Sequence, residues 1–156
     1  MATLTTNKNF LSPVGFQFKV DHTKYPNLEY FVVAATLPGL NIASAEQPYR
    51  GVNLGFTGDR LSFDDFSIRA NITENMENYI ETFEWIHNIV QSEKAEDFKA
   101  DATLLILSSH NNVTKEIKFN GLFPTSLSAV EFDSQAEAID YSQMDITFAY
   151  TSFEFK

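Results

Sequence analysis

The sequence predicts a mainly β domain, a β-sandwich or barrel, flanked by one α-helix at about 74–91. Three observations predict it: short stretches where apolar and polar residues alternate, one stretch where the period lengthens to three and four, and an apolar content high enough to fill a core. Of the 156 residues 44% are hydrophobic and 14% aromatic, with fifteen Phe and six Tyr, well above what a disordered chain carries. No repeat, low-complexity tract or Pro/Gly/Ser linker divides the chain. A single domain over 1–156 is expected, with a polar, loose N-terminal segment at about 1–12.

Taken in order, Val14, Phe16, Phe18 and Val20 alternate with polar or small residues, as a half-covered strand requires. His22 to Asn27, with Pro26, reads as a turn. Glu29 to Leu37 reads as a continuous strand closed by Pro38-Gly39. Val52, Leu54 and Phe56 alternate, and Gly58-Asp59 supplies a turn before Leu61, Phe63, Phe66, Ile68, Ala70 and Ile72, a hairpin with a register slip at Asp64-Asp65. From Glu74 to Gln91 the apolar residues Met76, Tyr79, Ile80, Phe83, Ile86, His87 and Val90 form one helical stripe, expected to face the core, with Thr73 or Asn75 as N-cap. Glu74, Glu77, Glu81 and Glu84 are expected on the outer face without a cation at i+4, so packing must hold this helix. Ala102 to Leu107 is an apolar strand, and His110-Asn111-Asn112 turns it back into Val113 to Phe119, closed by Gly121 and Pro124. Leu127 to Phe132 reads as a short strand, and Met144 to Tyr150 as an alternating one, followed by Phe153 and Phe155. The total is seven or eight strands and one helix.

Charge excludes one class of function. Eleven Lys and Arg against twenty-one Asp and Glu leave a net charge of −10, which opposes any surface that grips nucleic acid by neutralising phosphates. Without cysteine there is no disulfide framework or thiolate metal site, and a cytosolic folding environment is the simplest reading. The N-terminal residues lack the basic start and apolar run of a signal peptide, and no segment suits a bilayer-spanning helix, so membrane binding is not expected.

The residues that carry chemistry elsewhere are scattered here. His22, His87 and His110 are isolated in sequence, and His87 reads as a hydrogen-bonded core or interface histidine rather than a ligand. Asp64-Asp65 would point to opposite faces of a strand, which suits a bend or bulge better than an acid/base pair. Glu131, Asp133, Glu137 and Asp140 form the densest acidic patch but lack the spacing and turn glycine of a calcium loop. No nucleophile elbow or phosphate-binding glycine pattern occurs, and the Asn71 and Asn112 sequons have no secretory context. The expectation is therefore no catalytic residue, no metal and no cofactor. What remains is a surplus of β-prone apolar sequence, above all the C-terminal Tyr150-Thr-Ser-Phe-Glu-Phe155, guarded by Lys156 alone. Tyr150, Phe153 and Phe155 are candidates for an assembly edge between copies.

Specific motifs narrow this reading. Gly58-Asp59-Arg60, then Ser62-Phe63-Asp64-Asp65-Phe66 and a helix containing Phe83-x-Trp85, resemble the tail tube proteins of contractile-tailed, T4-like bacteriophages. Val113-Thr-Lys-Glu-Ile-Lys-Phe-Asn-Gly-Leu-Phe-Pro-Thr125 resembles the family's strand and its Gly-Leu-aromatic-Pro-Thr turn, and Ala34-Ala-Thr-Leu-Pro-Gly39 fits the end of its early strand. The resemblance covers about three quarters of the chain; Ala2 to Ser12 and Asn41 to Arg50 depart from it, and in such proteins these regions contact neighbouring rings. It implies two packed antiparallel sheets with a flanking helix, six copies closing into a ring, and rings stacked into a hollow tube inside a contractile sheath. The implied partners are further copies, the tail sheath, and baseplate and terminator proteins, with phage DNA passing through the lumen without sticking. The implied location is the virion tail, after synthesis in the host cytoplasm. Glu131, Asp133 and Asp140 are candidates for lumen-facing acids. Two alternatives stay open: a tube-initiating baseplate protein, or a secretion or injection-system tube of the same fold, and a monomeric β-sandwich binding module.

Overall fold

The computed structural model describes residues 6, 9–21, 24–137 and 140–156. His22 and much of the N-terminal segment expected to be loose lie outside the described residues. Strand β1, Phe16–Lys19, turns Phe18 into the core. Pro26 then opens a five-residue helix α1, Pro26–Tyr30, because a missing N–H costs nothing in a first helical turn. Strand β2, Val32–Thr36, follows. The strand expected over Glu29 to Leu37 is thus shortened at its start, where the Glu81 carboxylate accepts the Leu28 N–H at 3.1 Å and secures the helical turn.

The hairpin expected over 52–72 is a different hairpin. Strand β4 runs unbroken from Val52 to Phe63, and its partner is β3, Leu40–Tyr49. Gly58-Asp59 is not a turn but lies at an irregularity in that pairing, where a Cβ on Gly58 would run into the Ala43 carbonyl. The turn is Arg50-Gly51, with φ of 46° and 83°, the pair of positive values that a two-residue type I′ connection requires. Asp64-Asp65 is the break after which β5, Phe66–Asn71, joins another sheet.

Helix α2, Glu77–Gln91, a 3₁₀ turn at Ala95–Phe98, and strands β6, Ala100–Leu107, β7, Val113–Leu127, β8, Gln143–Ala149, and β9, Ser152–Phe155, complete the described chain. Strand β7 does not close at Gly121 and Pro124, and Leu127 to Phe132 is not a separate strand: β7 continues to Leu127, and 128–142 is a connection. Gly121, at φ 64°, bends the strand without ending it. The first part of β7 pairs with β6 and β9, and its last residues pair with β8. There β7 is an edge, which tolerates the missing N–H of Pro124.

The strand order is β1-β6-β7-β8-β5-β2, antiparallel throughout, with β9 on β7 and the β3–β4 hairpin apart. Shared strand β7 folds this sheet into two facing layers. Phe18 on β1 lies 5.8 Å from Phe66 on β5 and 6.5 Å from Phe148 on β8, and Phe66 stacks on Phe119 at 4.4 Å. This is the expected pair of packed antiparallel sheets with a flanking helix.

Helix α2 is where expected but rotated. Its buried residues are Asn78, Thr82 and Trp85, whereas Ile80, Phe83 and Val90 are 48%, 55% and 80% exposed and His87 is exposed. Local hydrogen bonds set this rotation. Asn78 donates to the Asn71 carbonyl at 2.6 Å and accepts the Thr73 N–H, Thr82 donates to the Asn78 carbonyl, and the Thr73 hydroxyl accepts the Glu77 N–H at 3.0 Å. Trp85 stacks on Tyr25 at 3.9 Å and donates its indole N–H to the Phe98 carbonyl at 2.7 Å. Satisfied polar groups can be buried without penalty, so the tryptophan side enters the core and most of the expected stripe faces out. Glu81, expected outside, is half-buried beneath α1.

Candidate assembly surfaces

Among the described residues, the β3–β4 hairpin is a long element left uncovered. Beyond Ala43, Tyr49 pairs with Val52, Gln47 with Leu54 and Ala45 with Phe56. Partners share a face, so one side of the outer half is apolar and the other carries Ser44, Glu46, Asn53 and Thr57. Nearly every residue of both strands is exposed. At the tip the Arg50 guanidinium sits 5.5 Å from the Tyr49 ring. The base is tied down: Asn41 donates to the Asp64 carboxylate at 2.9 Å, Ser62 to the Asn41 carbonyl, and the Asp64 N–H to the Gly39 carbonyl. Asp64 thus makes a bend, as expected, with its carboxylate on a side-chain amide.

The three C-terminal aromatics divide. Tyr150 is half-buried, with ring contacts to Phe63 and Phe119, and donates to the Asp64 carbonyl at 2.7 Å. Burial, with Asp64 and Asp65 nearby, pushes its phenol above the ordinary value. Phe153 is half-buried among Phe63, Phe119 and Tyr150. Both therefore pack within the chain, whereas Phe155, at the end of edge strand β9, is exposed.

Glu131, Asp133 and Asp140 lie together on the 128–142 connection, all exposed, around an open concavity of about 1060 Å³ that also exposes Phe132 and Tyr141. Asp133 accepts the Gln135 N–H at 2.9 Å, a local turn contact. The outward face of β5 and β8 is different in character. Ser67 and Asn71 stand opposite Thr147 and Gln143, and Arg69 donates to the paired Asp145 at 2.7 Å. Sequence reasoning missed this ion pair because strand pairing, not spacing, brings the two residues together. It also missed the hairpin tip, for which Arg50-Gly51 between two alternating stretches was the available signal.

Two ionisable groups are shifted where α1 meets α2. Glu81 is shifted up by burial, only partly offset by the amides of Leu28 and Asn27, and the Tyr25 phenol is pushed up to about 12 by burial and then by Asp21 and Glu81. Both groups serve the junction of α1 with α2. Among the described residues no three His, Asp or Glu side chains are placed to hold a metal ion, and no helix is long and apolar enough to cross a membrane.

No protein-family model matches the sequence, and no curated protein matches it. Solved structures do. A chain of the sheath–tube complex of an extracellular contractile injection system, PVC, in its extended state, is similar at 16% identity and TM-score 0.72, over 99% of each chain. The tube terminating cap of the anti-feeding prophage is similar at 15% identity and TM-score 0.72, over 99% of this chain and 95% of that one. Hcp1 from Flavobacterium johnsoniae is similar at 13% identity and TM-score 0.53, over 90% and 94%. The chain thus has the fold of contractile-tail tube proteins, as the sequence motifs implied.

Proposed function

We propose that this chain is a structural subunit of the inner tube of a contractile phage tail, forming six-membered rings that stack into a hollow conduit for DNA ejection. The observation that carries the reading is the uncovered hairpin Leu40–Tyr49/Val52–Phe63. A two-stranded ribbon is marginal in water by itself, and one that exposes Ile42, Leu54, Phe56 and Leu61 needs a protein surface to cover it. Ring closure uses the two free edges of the layer β7-β8-β5-β2: β2 of one copy beside the end of β7 in the next removes both edges around the circle. The outward face of β5 and β8 then forms the wall. Its small hydroxyl and amide side chains and its neutralised Arg69–Asp145 pair offer no free cation to phosphates. In this reading Glu131, Asp133 and Asp140, exposed on the 128–142 connection, add acidic charge to the lumen. Axial stacking is open-ended, so a baseplate protein must start it and a terminator must stop it, with a sheath outside.

A tube protein of an extracellular injection system, or a tube initiator of the same fold, is the second reading, favoured by the similarity to the PVC and anti-feeding prophage components. Particles carrying the chain beneath a DNA-filled head support the phage reading, and headless particles the second. Negative-stain microscopy with sedimentation of the purified chain tests both readings against a monomeric binding module. Hollow sixfold end views are expected; a profile that stays monomeric at high concentration overturns the tube reading.

A further inference from the structure

The hairpin continues two strands of the body across a joint. Strands β2 and β5 pair as far as Thr36 and Ser67; the chain then leaves the ladder at Leu37-Pro38-Gly39 on one side and Asp64-Asp65 on the other, and pairs again from Leu40 and Phe63 outward as β3 and β4. Asp64 is the centre of that joint. Its N–H donates to the Gly39 carbonyl at 3.1 Å, its carboxylate accepts from the Asn41 amide at 2.9 Å, and its carbonyl accepts the Tyr150 hydroxyl at 2.7 Å. Gly39 leaves the room this needs, since a Cβ there would lie 2.8 Å from the Asp64 carboxylate. Tyr150 belongs to the body, following β8, and its ring lies 5.2 Å from the buried Phe119 and 6.0 Å from Phe63 at the hairpin base.

We propose that Asp64 and Tyr150 are positioning residues, a latch that holds the hairpin at one angle to the body before any other copy binds. Leverage makes the angle matter. Strand β3 is ten residues long and exposed throughout, so the tip stands about 30 Å from the joint and a rotation of about 20° there displaces it by about 10 Å. The latch is separable from the fold: the ring of Tyr150 does the packing on Phe63, Phe119 and Phe153, whereas its hydroxyl reaches an exposed carbonyl at the joint. Tyr150 then acts on assembly through the hairpin base and not as an edge contact between copies. The proposal rests on the tube reading in one respect, that a hairpin already held at its working angle is covered by another copy without the cost of ordering it first.

The test uses the full chain, which has no cysteine of its own. Spin labels on Gln47→Cys in the hairpin and Lys115→Cys on β7, both exposed positions, report the hairpin-to-body distance in unassembled protein by pulsed electron paramagnetic resonance. With the latch intact one narrow distance distribution is expected. Tyr150→Phe, which keeps the ring and drops the hydroxyl, and Asp64→Ala should each broaden it, while Asp64→Asn, whose amide oxygen still accepts from Asn41, should leave it narrow. The melting temperature of Tyr150→Phe should stay near wild type. Losing one net hydrogen bond shifts the balance between latched and unlatched poses by about fivefold, so the concentration at which unlabelled Tyr150→Phe assembles should rise by up to about fivefold. A broad distribution with the latch intact, a narrow one in Tyr150→Phe, equal broadening by Asp64→Asn and Asp64→Ala, or assembly of Tyr150→Phe at wild-type concentration overturns the proposal. A narrow distribution that Tyr150→Phe broadens, in a wild-type chain that never forms rings, overturns the tube reading alone.

Discussion

Replacing Trp85 by Phe tests the rotation of α2, on which the outward position of its apolar stripe depends. Trp85 is 1% exposed, stacked on Tyr25, and donates to the Phe98 carbonyl. Phenylalanine keeps an aromatic ring in place but leaves that carbonyl without its donor, at about 1–3 kcal/mol, and leaves part of the indole volume empty, at about 1–2 kcal/mol. A loss of about 3 kcal/mol is therefore expected. With an unfolding entropy of about 2.1 cal/mol/K per residue, this lowers the melting temperature by about 9 °C for a chain of this length. Phe83→Ser, on the exposed side, should change stability by only about 0.5 kcal/mol. Thermal melts and urea titrations followed by far-UV circular dichroism measure both variants. In Phe83→Ser the fluorescence of the single tryptophan should remain that of a buried indole. If Phe83→Ser destabilises and Trp85→Phe does not, the helix presents to the core the face its apolar periodicity suggested, and the hydrogen-bond argument fails.

Two further outcomes are expected. Glu81 has a pKa raised above its ordinary 4.5, mainly by burial, so the folded state holds its proton more tightly than the unfolded chain does; the benefit is complete below the ordinary value and is lost as pH rises through the raised one. Glu81→Gln, which keeps an acceptor for the Leu28 N–H, should therefore melt higher than wild type at neutral pH, with the gap closing in acid; a gap that widens in acid contradicts this. Phe153→Ala should cost about 2 kcal/mol, less than a fully buried phenylalanine, whereas Phe155→Ser should leave melting unchanged and weaken ring formation. The reverse pattern, read by calorimetry and sedimentation, would place the assembly edge at Phe153.

The departures in strand pairing share one cause. Period-two alternation reports that a strand has two unlike faces, but not which strand lies beside it. Val52, Leu54 and Phe56 were legible as a strand, yet the expected turn at Gly58-Asp59 became an irregularity because Leu40–Tyr49 was available as a partner. Likewise Gly121 carries the positive φ of a turn residue, but β6 and β8 hold the chain on both sides of it and convert a stop into a bend. Of the candidates for an assembly edge, Tyr150 and Phe153 pack largely on Phe63 and Phe119 of the same chain.

The sequence by itself determined that this chain is two-layered and β-rich with one long helix, because alternation and its change of period are local consequences of backbone geometry. Its motifs also pointed to the tube fold. Only the tertiary structure decided which helix face is buried, which strands pair, and that a long apolar hairpin is left uncovered. Those outcomes depend on partners distant in sequence: the Phe98 carbonyl that receives Trp85, the Asn71 carbonyl that receives Asn78, and the body whose edges take every strand except β3 and β4. Helix α2 is apolar around most of its circumference, so periodicity proposed one stripe, and burial of satisfied polar groups selected another.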